Sequence, residues 1–252
     1  MKAQNAIVRI VADTYDQCVT KQSESIDVAL AKEQHAKYCS ELERIGLQLI
    51  RIEADNNLPD CCFVEDAAIV VDNIAIITHP GAESRRKETE AVEKVISKFK
   101  TIHRVVFPAT IDGGDVLKIG MKIFIGLSER TTQDAIDQVA EIIRPRGYEV
   151  IAVPIHHTLH LKSVVTALSD SQIIISAGHL DETTFEGFRK IVVPHEESYT
   201  ANCLSVNNTI FIPAGYPITK SLIEGMGFST IELENSEFKK GDGALTCLSI
   251  LF

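Results

Sequence analysis

One order of elements, a hairpin, then a helix, then a single strand, comes round four times in this chain, and it limits the possible folds more than any single motif. Residues 67–78 are apolar β-formers on both sides of Asp72-Asn73, which marks a tight hairpin turn. The spacing then predicts an amphipathic helix over 84–98, with Val92, Val95 and Ile96 on one face, and a short strand over 102–107. The second round has a hairpin over 115–127, a helix over 131–143 and a strand over 149–154. The third places them at 163–176, 183–188 and 190–193. The fourth places them at 203–213 (turn at Asn207-Asn208), 218–226 and 229–233.

The two ends complete the count. The N-terminal part supplies a strand over 7–11, a helix over 27–45 ended by Gly46, and a strand over 47–52, but no hairpin. The C-terminal segment around Cys247 reads as a strand without a helix: Leu245, Leu248, Ile250 and Leu251 are apolar β-formers, and Thr246 and Ser249 are compatible with them. Joined, the ends make a fifth unit. A period of roughly 40–50 residues with strands and a helix in each unit points to radial closure, and an open α/β sheet is the alternative.

Composition narrows the function class. The chain has 252 residues, 45% hydrophobic and 24% charged, which is enough for a packed core. The net charge of −10 argues against nucleic acid as a partner and is compatible with a cationic small molecule. Six cysteines (Cys18, Cys39, Cys61, Cys62, Cys203, Cys247) are too scattered for a disulfide framework and form no CxxC pair. No apolar run approaches the roughly 18 residues of a membrane span, and Arg9 and Asp13 interrupt the apolar N-terminus where a signal peptide would need continuity. The expectation is a soluble, cytoplasmic, single-domain protein over residues 1–252, with no membrane partner.

Four clusters of chemistry-bearing residues fall at predicted strand ends and turns. In Asn57-Leu-Pro-Asp60-Cys-Cys-Phe-Val-Glu65-Asp66, adjacent carboxylates enter an apolar strand and repel unless a cation lies between them; a solvated turn is the other reading. In Asp112-Gly-Gly-Asp115, two glycines allow a tight turn or a close backbone approach. In His156-His-Thr-Leu-His160, the i, i+4 pair invites a zinc reading, but no helix signal accompanies it, so His160 reads as a general acid/base or a structural histidine. Arg85 and Arg130 each stand at the start of a predicted helix, where the dipole is already positive, which suggests that they bind an anion bidentately. Taken alone, Cys247 reads as a buried, inert thiol.

As an ordered set these residues resemble the dimethylarginine dimethylaminohydrolase family of the guanidino-group-modifying penteins. The resemblance rests on Leu58-Pro-Asp60, Phe63-Val-Glu65-Asp66, Asp112-Gly-Gly-Asp115-Val, Leu159-His160-Leu-Lys, Asn202-Cys-Leu and Ser236-Glu-Phe-Lys-Lys-Gly-Asp-Gly-Ala-Leu-Thr-Cys247-Leu-Ser, and it spans residues 57–252. It implies a five-bladed α/β propeller of ββαβ units. It also implies that Cys247 is the nucleophile, His160 the general acid/base and Asp112 the carboxylate that orients it. Asp60, Glu65 and Asp66 would bind the substrate guanidinium, and Arg85 and Arg130 its α-carboxylate. Many relatives carry Glu where this chain has Asp112.

The implied reaction is hydrolysis of Nω-methylated L-arginine to L-citrulline and an alkylamine, with no metal or organic cofactor; a homodimer is compatible with it. The alternative keeps the same machinery for unmethylated L-arginine, as a deiminase or dihydrolase would. A ribosome-binding pentein would lack the Cys/His/acid set, and amidinotransferases are considerably longer. Residues 11–20, where the family has a substrate-covering loop with an apolar tip, are more polar here and lack the usual glycine.

Overall fold

The computed structural model describes residues 3–252. In chain order the elements are β1 (Asn5–Arg9), α1 (Val28–Arg44), β2 (Gln48–Ile52), β3 (Ala68–Val71), β4 (Ile74–Ile77), α2 (Glu88–Ile96), β5 (Thr101–Arg104), β6 (Val116–Ile119), β7 (Lys122–Leu127), α3 (Gln133–Ile143), β8 (Glu149–Pro154), β9 (Val165–Ala167), β10 (Gln172–Ile175) and β11 (Arg189–Val192). They are followed by β12 (Leu204–Val206), β13 (Thr209–Pro213), α4 (Pro217–Gly225), β14 (Ser229–Leu233), α5 (Ser236–Lys240) and β15 (Ile250–Leu251).

The strands form five separate three-stranded sheets, β3-β4-β5, β6-β7-β8, β9-β10-β11, β12-β13-β14 and β15-β1-β2. In each, an antiparallel pair is followed by a parallel one, because the connection back to the middle strand crosses over through a helix or turn. The fifth sheet joins the two ends of the chain: Ile7 pairs with Ile250 of β15 and with Ile50 of β2. The first strands of all five sheets line one axial cavity of about 730 Å³. The arrangement is therefore a five-bladed α/β propeller.

Local chemistry explains the units. The hairpin turns use residues that tolerate a left-handed backbone, Asp72 at φ +50° and Asn207 and Asn208 at φ +50° and +72°. Helix α1 is capped by Asp27, which accepts from the Leu30 N–H at 3.0 Å, and the chain leaves it through Gly46 at φ +94°. Thr132 caps α3 in the same way. The central strands are buried almost throughout, as in Ile74–Ile77, because adjacent blades cover both faces. The apolar core is accordingly divided into wedges; one packs β3 and β4 against β6, β7 and α3.

Three expectations are corrected. The helix predicted over 84–98 begins as a single 3-10 turn (Glu83–Arg85), and α2 starts only at Glu88, whose carboxylate suits the positive helix end better than Arg85 does. The helix predicted over 183–188 is one 3-10 turn, Glu182–Phe185, since Glu186 is extended and Gly187 turns at φ +89°. Cys247 is not on the terminal strand but on a one-turn 3-10 helix, Thr246–Leu248. Its N–H closes locally on the Ala244 carbonyl at 3.2 Å, and only Ile250 and Leu251 pair with β1.

Candidate active site

Most of the singled-out side chains meet at one end of the propeller axis. Asp60, Asp66, Arg85, Arg130, His160 and Cys247 line a single small pocket together with Val19, Phe63, Leu159 and Gly241–Gly243. They come from different blades and reach the pocket from turns: Asp112 precedes the 3-10 turn Gly113–Asp115, His160 precedes Leu161–Ser163, and Asp66 lies in Val64–Ala67.

His160 is buried, with Nε2 3.0 Å from Asp112 Oδ2. Asp115 fixes the backbone beside the ring: its carboxylate accepts from the Leu161 N–H at 2.9 Å and from the hydroxyls of Ser128 and Thr131 at 2.7 Å each. The two glycines of the Asp112 motif are steric requirements. A Cβ on Gly113 would lie 1.9 Å from the Glu65 carbonyl oxygen, and one on Gly114 would lie 2.6 Å from His160 Nδ1. Burial alone would push the imidazole toward neutrality. Asp66, the Asp112 hydrogen bond and Asp115 outweigh it and raise its pKa to about 9, so His160 is an imidazolium at neutral pH.

Cys247 is in the opposite condition. Burial, followed by the carboxylates of Glu65 and Asp66, pushes its thiol up to about 12, so the sulfur stays protonated until a cation arrives. Its turn is held rigidly, because the neighbouring Thr246 exchanges hydrogen bonds with the Asn202 amide at 3.1 and 3.3 Å. Asp66 is buried too. The His160 and Arg85 cations overcome its burial and hold it at about 2, a permanent anion in the pocket.

Two expected ligands are placed differently. Arg85 donates Nη1–H to Asp66 at 2.6 Å, Nη2–H to the Phe63 carbonyl at 3.1 Å and to Glu88 at 2.8 Å, and Nε–H to Glu88 at 3.2 Å. A guanidinium has five N–H groups, so Arg85 is not free for a bidentate clamp; it positions Asp66. Arg130 keeps its pocket-facing side open, its nearest carboxylate being Asp112 at 4.0 Å. Glu65 lines the axial cavity, not the pocket. One of its oxygens accepts from Lys162 and the other from Thr246 at 2.8 Å, because a partly buried carboxylate takes the nearest cation and donor.

Sequence reasoning assigned no role to Glu88, Lys162 or Asn202. Only the i, i+3 spacing of Arg85 and Glu88 could have signalled one of these contacts. The zinc pair does not form, since His156 is exposed. Ligand atoms of Asp66, Asp112 and His160 do lie within 4.8 Å of one another. Each already has a protein partner, and the Arg85 and Arg130 guanidinium groups add positive charge beside them, which disfavours a divalent ion. Among the described residues no helix is long and apolar enough to cross a membrane.

Comparison with known proteins agrees with this geometry. The arginine deiminase family model matches residues 4–201. The chain is similar to the N(G),N(G)-dimethylarginine dimethylaminohydrolase of Pseudomonas aeruginosa, 36% identical over 228 residues and 90% of each chain. It is likewise similar to that of Streptomyces coelicolor, 38% identical over 231 residues, 91% of this chain and 88% of the relative. A solved P. aeruginosa structure, a cysteine-to-serine variant complexed with citrulline, superposes with a TM-score of 0.95 over the whole of both chains at 33% identity.

Proposed function

The chain belongs to the dimethylarginine dimethylaminohydrolase family, and on that premise we propose that it hydrolyses Nω-methylated L-arginine to L-citrulline and an alkylamine through a covalent Cys247 S-alkylthiouronium. The observation that carries this reading is the meeting of a thiol, a carboxylate-held imidazolium and a fixed anion in one pocket with a free arginine.

A guanidinium carbon is resonance-stabilised and resists water at neutral pH, so a stronger nucleophile must attack first. Asp60 and Asp66 hold the planar cation over Cys247, and Arg130 takes its α-carboxylate. Arg85 steadies Asp66, and Lys162 holds Glu65 at the neighbouring axial cavity. The docked cation offsets the carboxylates that keep the thiol protonated, and the proton is released. Sulfur attacks the carbon, and the His160 imidazolium, oriented by Asp112, donates its proton to the leaving alkylamine. Neutral His160 then takes a proton from water as that water attacks the thiouronium carbon. The C–S bond breaks, and the products are citrulline and the restored sulfur. Holding the carbon in line with the nucleophile is worth several kcal/mol, on the order of 7–11 in the best intramolecular cases.

Val19, Phe63 and Leu159 give the pocket an apolar wall beside the acids, which supports a methylated nitrogen over an unmethylated one.

 The six free cysteines, none paired, support a reducing compartment such as the cytoplasm. The test is product analysis: asymmetric dimethylarginine should yield dimethylamine and citrulline, and faster than L-arginine yields ammonia. Cys247→Ser should abolish turnover in a folded protein; near-normal activity of that variant would refute the assignment.

A further inference from the structure

The pocket at Cys247 has a volume of about 20 Å³, room for a single water, and Val19 forms part of its wall. A guanidino compound does not fit until the lining shifts, and residues 18–22 contribute Val19 to that lining. Their outer contacts converge on one carboxylate that the proposed chemistry does not use. The Lys21 N–H donates to Asp242 Oδ2 at 2.6 Å, and the Gln22 side-chain amide donates to Oδ1 at 2.6 Å. The Thr20 hydroxyl lies 3.1 Å from Oδ2 and 2.8 Å from the Lys240 carbonyl. Both oxygens of Asp242 are thus turned toward a segment 220–222 residues earlier in the chain.

The backbone around Asp242 is built to aim it. Asp242 sits at φ +56°, a left-handed conformation that a non-glycine residue holds only when its surroundings impose it. Gly241 and Gly243 let the chain press against the base of the same segment and the pocket wall. A Cβ on Gly241 would meet Tyr15 Oη at 2.4 Å, and one on Gly243 would meet Phe63 at 2.3 Å. The inner tie of the segment is different in kind. The Val19 N–H donates to Asp60 at 3.1 and 3.2 Å, and Asp60 is a carboxylate that the substrate cation would engage. A cation bound at Asp60 would compete for that tie and leave the Asp242 contacts untouched.

We propose that Asp242 is a positioning residue: a latch that holds residues 19–22 over the bound substrate. The proposal rests on the reading of this pocket as the catalytic one, but its first readout does not.

The test uses Asp242→Gly, which removes the carboxylate while suiting the left-handed backbone, and Asp242→Asn, which keeps the shape and one acceptor oxygen. Hydrogen exchange of the peptide spanning residues 13–24 is followed without substrate, with peptides from the five sheets as the folding control. The glycine variant should exchange the Lys21 amide at least about tenfold faster, with the sheets unchanged, as expected for loss of hydrogen bonds to a charged acceptor. KM for the methylarginine substrate should rise about tenfold while kcat changes by less than about threefold, the split expected of lost binding without lost chemistry. The asparagine variant should fall between, and it decides by the same two readouts if the glycine variant does not fold. Unchanged exchange in this segment, or a loss confined to kcat with KM intact, overturns the proposal. Failure of the proposed reaction would appear instead as a wild-type protein inert toward methylarginines, with the exchange result untouched.

Discussion

Replacing Asp112 by asparagine should move the alkaline limit of activity toward acid, by an amount the site geometry sets. Asp112 Oδ2 lies 3.0 Å from His160 Nε2 in a buried site, and the side chain is close in shape to asparagine. A hydrogen bond to a charged group contributes about 1.5–3 kcal/mol, equivalent to about one to two pKa units. Asp66 and Asp115 remain, so the imidazole should fall from about 9 to roughly 7–8, and no further. In the proposed reaction the imidazolium is the proton donor, so activity should be present below this pKa and lost as pH rises through it. The thiol, pushed up to about 12, ionises too high in the free protein to account for the same limb. The assay is the pH profile of kcat/KM, which reports the free enzyme, alongside an NMR titration of the isotope-labelled imidazole. At pH 7 the variant imidazole should still be about half to nine-tenths protonated, so kcat/KM should fall there by no more than about twofold, and by about ten- to a hundredfold only well above pH 8. An unmoved alkaline limb and an unmoved imidazole titration in Asp112→Asn would refute the argument that this carboxylate holds the proton on His160.

Other expectations follow from the same contacts. Gly114→Ala should lower kcat by about 100-fold or more by displacing the imidazole, as misplacement at a reacting centre does, since its Cβ would lie 2.6 Å from His160 Nδ1 and 2.9 Å from Asp66 Oδ1; steady-state kinetics with a circular-dichroism control tests it. Lys162→Met leaves the partly buried Glu65 without its cation and should cost about 1–2 kcal/mol in urea unfolding, between an exposed pair and a fully buried one; adding Glu65→Gln should restore part of the loss, and additive costs would argue against the pairing. Because the folded pKa of His160 is raised from 6.5 to about 9, its contribution to stability is complete below about pH 6.5 and lost as pH rises through about 9. The urea midpoint should therefore fall between pH 7 and 9.5, and by less in Asp112→Asn than in the wild type.

Much of the architecture could be read from short-range pattern. The turn residues Asp72, Asn207 and Asn208 hold left-handed backbones where the hairpins were expected, and the terminal segments do complete one sheet, with Ile7 between Ile250 and Ile50. Those features depend on neighbours in sequence, or on the one way five incomplete units can bury their edges. The weaker helix signals failed at single residues: Gly187 stopped the third helix after one turn, and the local Ala244–Cys247 bond took the thiol off the last strand. The thiol, the imidazole and most of the acids could be named from their types and order. Their partners could not.

By itself, the sequence determined the five-fold repetition, the turn positions and the kinds of groups available for chemistry, because each is written in backbone periodicity and residue type. The tertiary structure alone decided that Arg85 steadies Asp66, that Glu65 answers to Lys162 across 97 positions of chain, and that Asp242 faces residues 20–22. A buried charge takes the nearest complementary group in space, and in a closed ring of blades that group usually comes from another blade, at a sequence distance no local pattern records.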